Sequence, residues 1–397
     1  MKYNFLLIFL RTRLQLTSKA KFFIKILFYR FFDLFVLPSN KLKPKTLLLI
    51  RLDAIGDYVL FRNFIKDLSK SSKFKEFEIT LLGNIAWKEL SLELDNEFID
   101  RFIWIDRDKF FKSLKYRLNK LEEVTDIKYE AIVHPAHSRE FFVGDNIVKV
   151  VNAEEKIGSV GDLSNIKRWQ RNISDKYYTK LIATHNEVVF EFNRNREFFE
   201  NILDRKLDIK KTSIILKNKK LDFNLPEKYA IFFIGASSSL RRWNIKNFAQ
   251  IGKYLKKNYN YEIVLCGPSN DKDDALEFAK YFKGNYFNLV GKTSLVELLY
   301  VVRNGDIMIS NETSAPHFAV ALEVKNVFVL YNGNHYGRFT PYPKSMTENY
   351  HAICHPLIEK NKNDYKKLSN SDGFVNDLNI DEISVEGVIK SINNILG

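Results

Sequence analysis

The chain has 397 residues, 45% of them hydrophobic and 14% aromatic, and a formal net charge of +14. That length exceeds what one hydrophobic core organises, so two or three domains are expected, each with ample apolar material. Two cysteines, Cys266 and Cys354, are too few for a disulfide framework and fit a reducing compartment.

The charge is concentrated at the start of the chain, where residues 1–45 carry ten Lys or Arg and one acid, Asp33. This arm, residues 1–44, also holds apolar runs at 5–10 and 22–37, the second broken by Lys25, Arg30 and Asp33. Neither run reaches the roughly 18–20 uncharged residues that cross a bilayer. No small-residue cleavage site follows either one, which argues against a signal peptide. An amphipathic segment lying on an anionic cytoplasmic leaflet matches this mixture of bulk and charge. Packing of the arm on the main body is the alternative. Nucleic acid is not an expected partner, because large apolar residues have no use there and no binding motif occurs.

After a linker at 38–44, residues 46–50 (Thr-Leu-Leu-Leu-Ile) read as a continuous apolar strand of the kind buried in a parallel sheet. Residues 51–57, Arg-Leu-Asp-Ala-Ile-Gly-Asp, make a turn before a helix over 58–69. Gly56 allows a close backbone approach. Asp57 stands at the helix start, where a carboxylate either takes a proton from a substrate hydroxyl or merely caps the helix. Further strands are expected at 77–82, 102–105 and 131–133, with helical stretches between. That alternation implies a doubly wound α/β domain over 45–205. A polar, lysine-rich stretch at 206–226 separates it from a second domain of the same kind over 227–380. There strands are expected at 229–234, 262–265, 287–289, 306–309 and 327–330, and helices start near Asn244, Asp273, Ser294 and Pro316. Residues 360–380 read as a polar loop. An amphipathic helix over 384–396 closes the chain within a final segment, 381–397. Ligands of such sheets bind in the loops at the carboxyl ends of the strands.

Two loops of the second domain carry anion-binding chemistry. Residues 233–243, Phe-Ile-Gly-Ala-Ser-Ser-Ser-Leu-Arg-Arg-Trp, run from a strand into a small, hydroxyl-bearing turn. Ser237 and Ser238 are small enough for a diphosphate to reach backbone N–H groups, and Arg241 and Arg242 supply bidentate bonds to phosphate oxygens. Residues 305–322 run from a strand through a polar turn, 311–314, into an apolar helix that Pro316 opens. Thr313 or Ser314 falls at the N-cap, and the free N–H groups beyond it bind phosphate unless the turn is only a well-capped helix. Gly291-Lys292-Thr293 lacks the upstream glycine of a P-loop, since Tyr286 stands there. His351, Cys354 and His355 lack a fourth metal ligand at recognisable spacing. No Asp-x-Asp pair is placed to hold a divalent cation, so neither a metal nor another cofactor is expected.

Taken in order, "LLLIRLDAIGDYVL", "GASSSLRRWNIKNFAQI", "NLVGKTSLVELLYVVRNGDIMISNETSAPHFAVAL" and the closing helix resemble glycosyltransferase family 9, the lipopolysaccharide heptosyltransferase family. The resemblance covers roughly residues 45–395 and leaves out the amphipathic helical arm. It implies the GT-B fold, an α/β architecture in which two Rossmann-like domains face each other across a cleft. It also implies inverting, metal-independent transfer from a nucleotide-sugar donor, commonly ADP-heptose, onto a hydroxyl of a lipid-linked saccharide acceptor. The enzyme would be bacterial, cytoplasmic and peripheral on the inner membrane. By motif match, Asp57 takes the role of general base. Arg241, with Arg242, grips the diphosphate beside Ser237 and Ser238. Thr313, Ser314, Ala315 and His317 form the phosphate-binding turn and its histidine.

The chain departs from the family in two places. Where the family usually has Asp-Thr-Gly, it has Glu312-Thr313-Ser314, which alters the reach of the turn toward the sugar. The family acid that binds the donor ribose falls near Ser269, with Asp271 beside it. In the first domain, residues 130–142 occupy the acceptor-facing loop. His134, Ser138 and Arg139 are the expected acceptor contacts there, and Arg139 suits a phosphate or carboxylate. Two other readings stay open at this point: a non-catalytic membrane-surface scaffold, or another GT-B enzyme such as a nucleotide-sugar epimerase. The glycosyltransferase reading requires a definite geometry. Asp57 on one lobe must face a cationic, amide-rich pocket around Arg241 and Thr313 on the other.

Overall fold

A computed structural model of the chain describes residues 18–185, 188–218, 221, 223–362 and 377–397. The apolar run at 5–10, positions 219, 220 and 222 of the lysine-rich stretch, and most of the loop expected at 360–380 lie outside the described residues.

Two six-stranded sheets organise the chain. The first comprises β1 (Thr46–Arg51), β2 (Glu78–Asn84), β3 (Arg101–Ile105), β4 (Tyr129–His134), β5 (Ala153–Ser159) and β6 (Lys180–Ile182), in the order β3-β2-β1-β4-β5-β6. The second comprises β7 (Tyr229–Phe233), β8 (Glu262–Cys266), β9 (Phe287–Asn288), β10 (Ile307–Asn311), β11 (Asn326–Tyr331) and β12 (Tyr350–Cys354), in the order β12-β11-β10-β7-β8-β9. All pairings within both sheets are parallel. β1 and β7 bury every residue, as strands covered on both faces must.

Three strands have no counterpart in the sequence reading: β5, β6 and β12. β5 carries Glu154, Glu155 and Lys156, β6 is three residues at an edge, and β12 is mostly half-buried, so none shows a continuous apolar run. β10 runs further than the expected 306–309 and takes Ser310 and Asn311 into the buried sheet. Asn311 uses its amide to fix the neighbouring loop. Its Nδ2 donates to Ile234 O at 2.7 Å, and its Oδ1 accepts from Trp243 N at 3.2 Å.

The helices place the rest. The arm contains α1 (Ser18–Asp33), whose inward side buries Ile26 and Tyr29 on the first lobe. Asp33 at its end is also buried. Arg117 Nε reaches it at 3.1 Å, and Asn146 Nδ2 donates to it at 3.1 Å. Packing on the body is thus true of one side of the arm. The helix expected from residue 58 begins at Ile55 instead, as α2 (Ile55–Phe61), so Gly56 and Asp57 belong to its first turn. Next come α3 (Arg168–Ser174) and α4 (Glu191–Leu203), and in the second lobe α5 (Ile245–Tyr259), α6 (Ala315–Ala321) and α7 (Val385–Leu396). α7 is capped by Ser384, whose hydroxyl accepts from Gly387 N, and it buries Val388 and Ile392 in the core of the second lobe.

The lobes share a continuous apolar core that runs from Leu49, Phe64 and Phe199 through Ile214 to Val302, Phe318 and Val320. The connecting stretch is stitched to both sides. Thr212 Oγ1 donates to Val59 O at 2.7 Å, Arg62 Nη1 donates to Ser213 O at 2.8 Å, and Ile214 N donates to Ala321 O at 2.8 Å. α2 packs against both α4 and α6. This packing brings the loop after β1 against the loop after β10.

Candidate active site

An open cavity lies where the lobes meet. The first lobe lines it with Asp53, Ala54, Asp57, Arg107, His137, Ser138, Glu140, Ser164, Asn165 and Glu191, and the second with His335, Arg338 and Phe339. The approach of the lobes is closest at Gly56. A Cβ built there would stand 2.9 Å from His317 Cδ2 and 3.8 Å from Ser314 Cα, so glycine is what lets this turn meet the other lobe. Gly56→Ala is expected to lower kcat/KM by about tenfold or more while the protein stays folded. An overpacked contact costs about 1–3 kcal/mol, and here it falls on the lobe junction. Kinetics at wild-type levels would show that the junction does not matter for turnover.

Asp57, the third residue of α2, opens on this cavity. Burial pushes its carboxyl up from the ordinary value of 3.8 to about 7. The charges of Asp53 and Glu191 add to the rise, and Arg51 and Arg338 oppose it. A carboxyl near 7 is matched to proton transfer at neutral pH. Arg51, the last residue of β1, is buried behind it. Its Nε lies 2.8 Å from Asp53 Oδ2, its Nη2 lies 3.6 Å from Glu191 Oε1, and its Nη1 donates to Asn195 Oδ1 at 3.1 Å.

Arg338 reaches this network from the loop between β11 and β12. Its Nε donates to Glu191 Oε2 at 3.0 Å and its Nη1 to Asp162 Oδ2 at 3.0 Å, while its carbonyl accepts from Glu191 N at 2.8 Å. Burial alone would raise Glu191, but Arg338, Arg51, His137 and Arg194 outweigh it and hold this carboxylate at about 2. Asp162 in turn accepts from the Ser138 and Ser164 hydroxyls at 2.9 and 2.8 Å. One side chain of the second lobe is therefore tied both to Glu191 and, through Asp162, to the Ser138 and Ser164 wall of the cavity. His137 and His335 also line it, and both are held near 4, principally by burial, with Arg194 acting on the first and Arg338 on the second. Both are neutral at physiological pH.

The second lobe gathers its expected anion-binding groups at the carboxyl ends of β7 and β10. Arg241 Nη1 donates to Glu312 Oε2 at 2.6 Å, and Nη2 donates to Ser237 Oγ at 2.6 Å. Ser238 precedes the single turn that carries Arg241. Thr313 Oγ1 accepts from Ala315 N at 3.2 Å, and Ser314 is the N-cap of α6 without a side-chain bond. Pro316 is the second residue of that helix, not the first. His317 is buried, pairs through Nδ1 with the Tyr342 hydroxyl at 2.7 Å, and is held near 4 by burial.

Arg242 turns away from this group. Its Nε donates to Ala236 O at 2.7 Å, and the rest of its fork binds Asp274 and Asp271, so it clamps the loop against the start of the helix that follows β8, Lys272–Tyr281. Asp271, the neighbour of the expected ribose site, is the partner in that clamp.

Among the three first-lobe residues expected to contact an acceptor, only Ser138 lines the cavity. His134 and Arg139 are buried behind it. His134 Nδ1 pairs with the Tyr178 hydroxyl at 2.7 Å, and burial with the nearby Arg139 lowers it to about 3. Arg139 binds Asp175 and lies 3.9 Å from Asp145. Both side chains brace the end of β4 rather than open to a ligand in this conformation. His351, Cys354 and His355 do not converge either: His351 Nε2 pairs with Asn326 Oδ1 at 3.1 Å, and His355 Nε2 lies 3.2 Å from Glu382. Among the described residues no group of three His, Cys, Asp or Glu side chains is arranged to hold a metal ion.

Two Rossmann-like lobes with a site between their strand-end loops define the GT-B class of glycosyltransferases. Residues 147–368, more than half of the chain, match the family model described as glycosyltransferase family 9 (heptosyltransferase), and the chain belongs to that family. It is a glycosyltransferase. The match takes in positions 237–317 of the second lobe, while Asp57 and positions 134–139 lie before it.

Among solved structures, the glycosyl transferase family 9 protein of Veillonella parvula DSM 2008 is similar at 16% identity and a TM-score of 0.64, over 89% of this chain and 97% of that one. E. coli heptosyltransferase WaaC with ADP-2-deoxy-2-fluoro heptose is similar at 15% identity and a TM-score of 0.63, over 88% of this chain and 99% of that one. E. coli ADP-heptose lps heptosyltransferase II follows at 15% identity and a TM-score of 0.61, over 88% and 98%. At these identities the likeness is one of fold. No curated protein matches the chain.

Proposed function

We propose that this glycosyltransferase moves a heptose from ADP-heptose, with inversion and without a metal ion, onto a hydroxyl of a lipid-linked saccharide in lipopolysaccharide or a related surface glycan. The observation that carries the reading is Asp57, a carboxyl raised to about 7 on a cavity that the second lobe closes. Asp57 accepts the acceptor's hydroxyl proton as that oxygen bonds to the anomeric carbon. The bond from that carbon to the diphosphate oxygen breaks on the opposite face, through an oxocarbenium-like state. Arg241 and the N–H groups of residues 313–315 meet the charge that grows on the departing nucleoside diphosphate.

The donor assignment leans on the two E. coli structures, WaaC with ADP-2-deoxy-2-fluoro heptose and ADP-heptose lps heptosyltransferase II. The enzyme works peripherally at the cytoplasmic face of the inner membrane. No described helix is long and apolar enough to cross a membrane.

Calorimetry with ADP, UDP and GDP, followed by a screen of nucleotide sugars for transfer or hydrolysis, tests this reading. Binding of ADP and turnover of ADP-heptose are the expected results, and a protein that bound none of the three would be a scaffold. In Arg241→Ala the affinity for ADP is expected to fall about a hundredfold, because a charge-assisted, two-pronged contact to phosphate is lost. An unchanged dissociation constant would remove Arg241 from the diphosphate site.

A further inference from the structure

Resting on that reading of a lipid-linked acceptor, we infer that the outward side of α1, with the rim formed by α3, is a docking surface for an anionic lipid bilayer and holds the cavity wall against it. α1 is apolar on two opposite sides. Phe22, Ile26 and Tyr29 face the first lobe, where Ile26 packs in one cluster with Phe141 and Ile166. Phe23, Leu27, Phe31, Leu34, Phe35 and Leu37 face solvent, with Leu27 67%, Phe31 57% and Leu34 75% exposed. They recur at the three- and four-residue spacing of a single helical stripe and the turn that follows it. A contiguous apolar face of this kind marks an interaction surface.

The charge around the stripe identifies what covers it. Lys19, Lys21 and Arg30 of α1 are exposed, as are Lys41 after it and Lys167 and Arg168 at the start of α3, while Lys43 is paired with Glu78 at 2.5 Å. The one acid of the described arm, Asp33, is buried and paired with Arg117, so it cancels none of this surface charge. Trp169 stacks on Phe23 with ring centroids 5.5 Å apart and meets Phe22 edge-on at 4.7 Å, which puts a tryptophan at the border of the apolar stripe. Apolar side chains between cations, with tryptophan at the edge, fit the boundary of an anionic leaflet. A second copy would bring the same cations together and is disfavoured by repulsion.

This surface is built on the walls of the cavity. Ser138 and Glu140 line the cavity, and the next residues, Phe141 and Phe142, carry α1 through Phe22 at 4.9 and 5.0 Å. Ser164 and Asn165 line it too, and they lead directly into Ile166 and α3. A bilayer under α1 therefore lies beside the pocket that faces Asp57, within reach of a saccharide attached to a lipid.

The test is cosedimentation of the full chain with vesicles of phosphatidylcholine alone or with phosphatidylglycerol, without donor or acceptor present. The expected result is binding that depends on phosphatidylglycerol and weakens with salt. It should fall more than about tenfold in Leu27→Glu/Phe31→Glu, a pair of exposed positions whose replacement leaves the fold intact by circular dichroism. Quenching of tryptophan fluorescence by bromine-labelled acyl chains should be lost in Trp169→Phe. Equal binding by the double variant, quenching that survives Trp169→Phe, or a chain that ignores vesicles and sediments as a dimer each overturns the inference. Because no sugar transfer is scored, those failures are separate from failure of the proposed reaction, which the donor screen reads.

Discussion

In Asp57→Asn, turnover is expected to fall about a thousandfold or more while the dissociation constant for ADP stays within about twofold of wild type. An amide cannot take the acceptor's proton, and general base catalysis is worth roughly 10²–10⁴ in rate. The proposed nucleotide contacts belong to the other lobe, where Arg241 bonds Ser237 and Glu312 and Thr313 bonds Ala315 N. The same substitution has a second signature. Asp57 titrates at about 7 in the folded chain and near 3.8 when unfolded, so between those values the folded state holds the proton more tightly. Stability contributed by this group is complete below about pH 4 and declines as pH rises through 7. The asparagine variant escapes that decline. Its thermal midpoint should exceed wild type at pH 8, by about 2 kcal/mol of stability once the water-facing side of the carboxyl is allowed for, and the gap should close toward pH 4. A variant that turns over within tenfold of wild type, or that loses ADP binding, takes the base role away from Asp57.

The fold was legible wherever burial on both faces left an unbroken apolar run. β1, with the sequence Thr-Leu-Leu-Leu-Ile-Arg, and β7, with Tyr-Ala-Ile-Phe-Phe, are such strands, and so are most of those beside them. β5 was not, because its first residues face partly outward and bear charges that a pattern reading assigns to a loop. The candidate site divides the same way. Gly56 and Asp57 stand out as a pair because they directly follow a buried strand. Arg241 and Thr313 stand out because small and hydroxyl residues follow strands of the second sheet. For His134 and Arg139 nothing local tells whether the end of β4 aims its side chains at the cleft or at Tyr178 and Asp145, where the structure has them.

Glu191 and Arg338 were invisible for a different reason. They are 147 residues apart, and only the closure of the lobes makes them partners. Alone, Glu191 reads as an ordinary acid in the first turn of a helix. The available hint was the loop itself. Gly333 and Gly337 bracket its turn at φ of 98° and 80°, a backbone that other residues rarely adopt, so this segment follows a defined path.

That path leads to a prediction on Arg338. In Arg338→Gln the rising limb of the pH profile of kcat/KM, expected near pH 7 in wild type, should move up by at most about one unit, so that activity falls up to about fivefold at pH 7 and hardly at pH 9. The reason is the charge balance around Asp57. Asp53 and Glu191 raise its pKa, and Arg51 and Arg338 restrain it. Arg51, 3.6 Å from Glu191, keeps that carboxylate ionised when Arg338 is removed, so the repulsion persists while the smaller of the two restraints is gone. His137 and His335 are held neutral near 4, His317 against Gly56 likewise, and the Arg107–Glu140 pair at 2.5 Å is balanced in itself, so none of these compensates. The variant should also lose about 3 kcal/mol of stability, the usual cost of leaving a buried carboxylate without its partner. Stability loss alone is what any structural tie would show; the displaced limb is the diagnostic. Arg338→Lys, which keeps the charge but not the two-pronged geometry, should recover most of the limb's position and little of the stability. A limb that stays at its wild-type pH in Arg338→Gln would reduce Arg338 to a strut between the lobes.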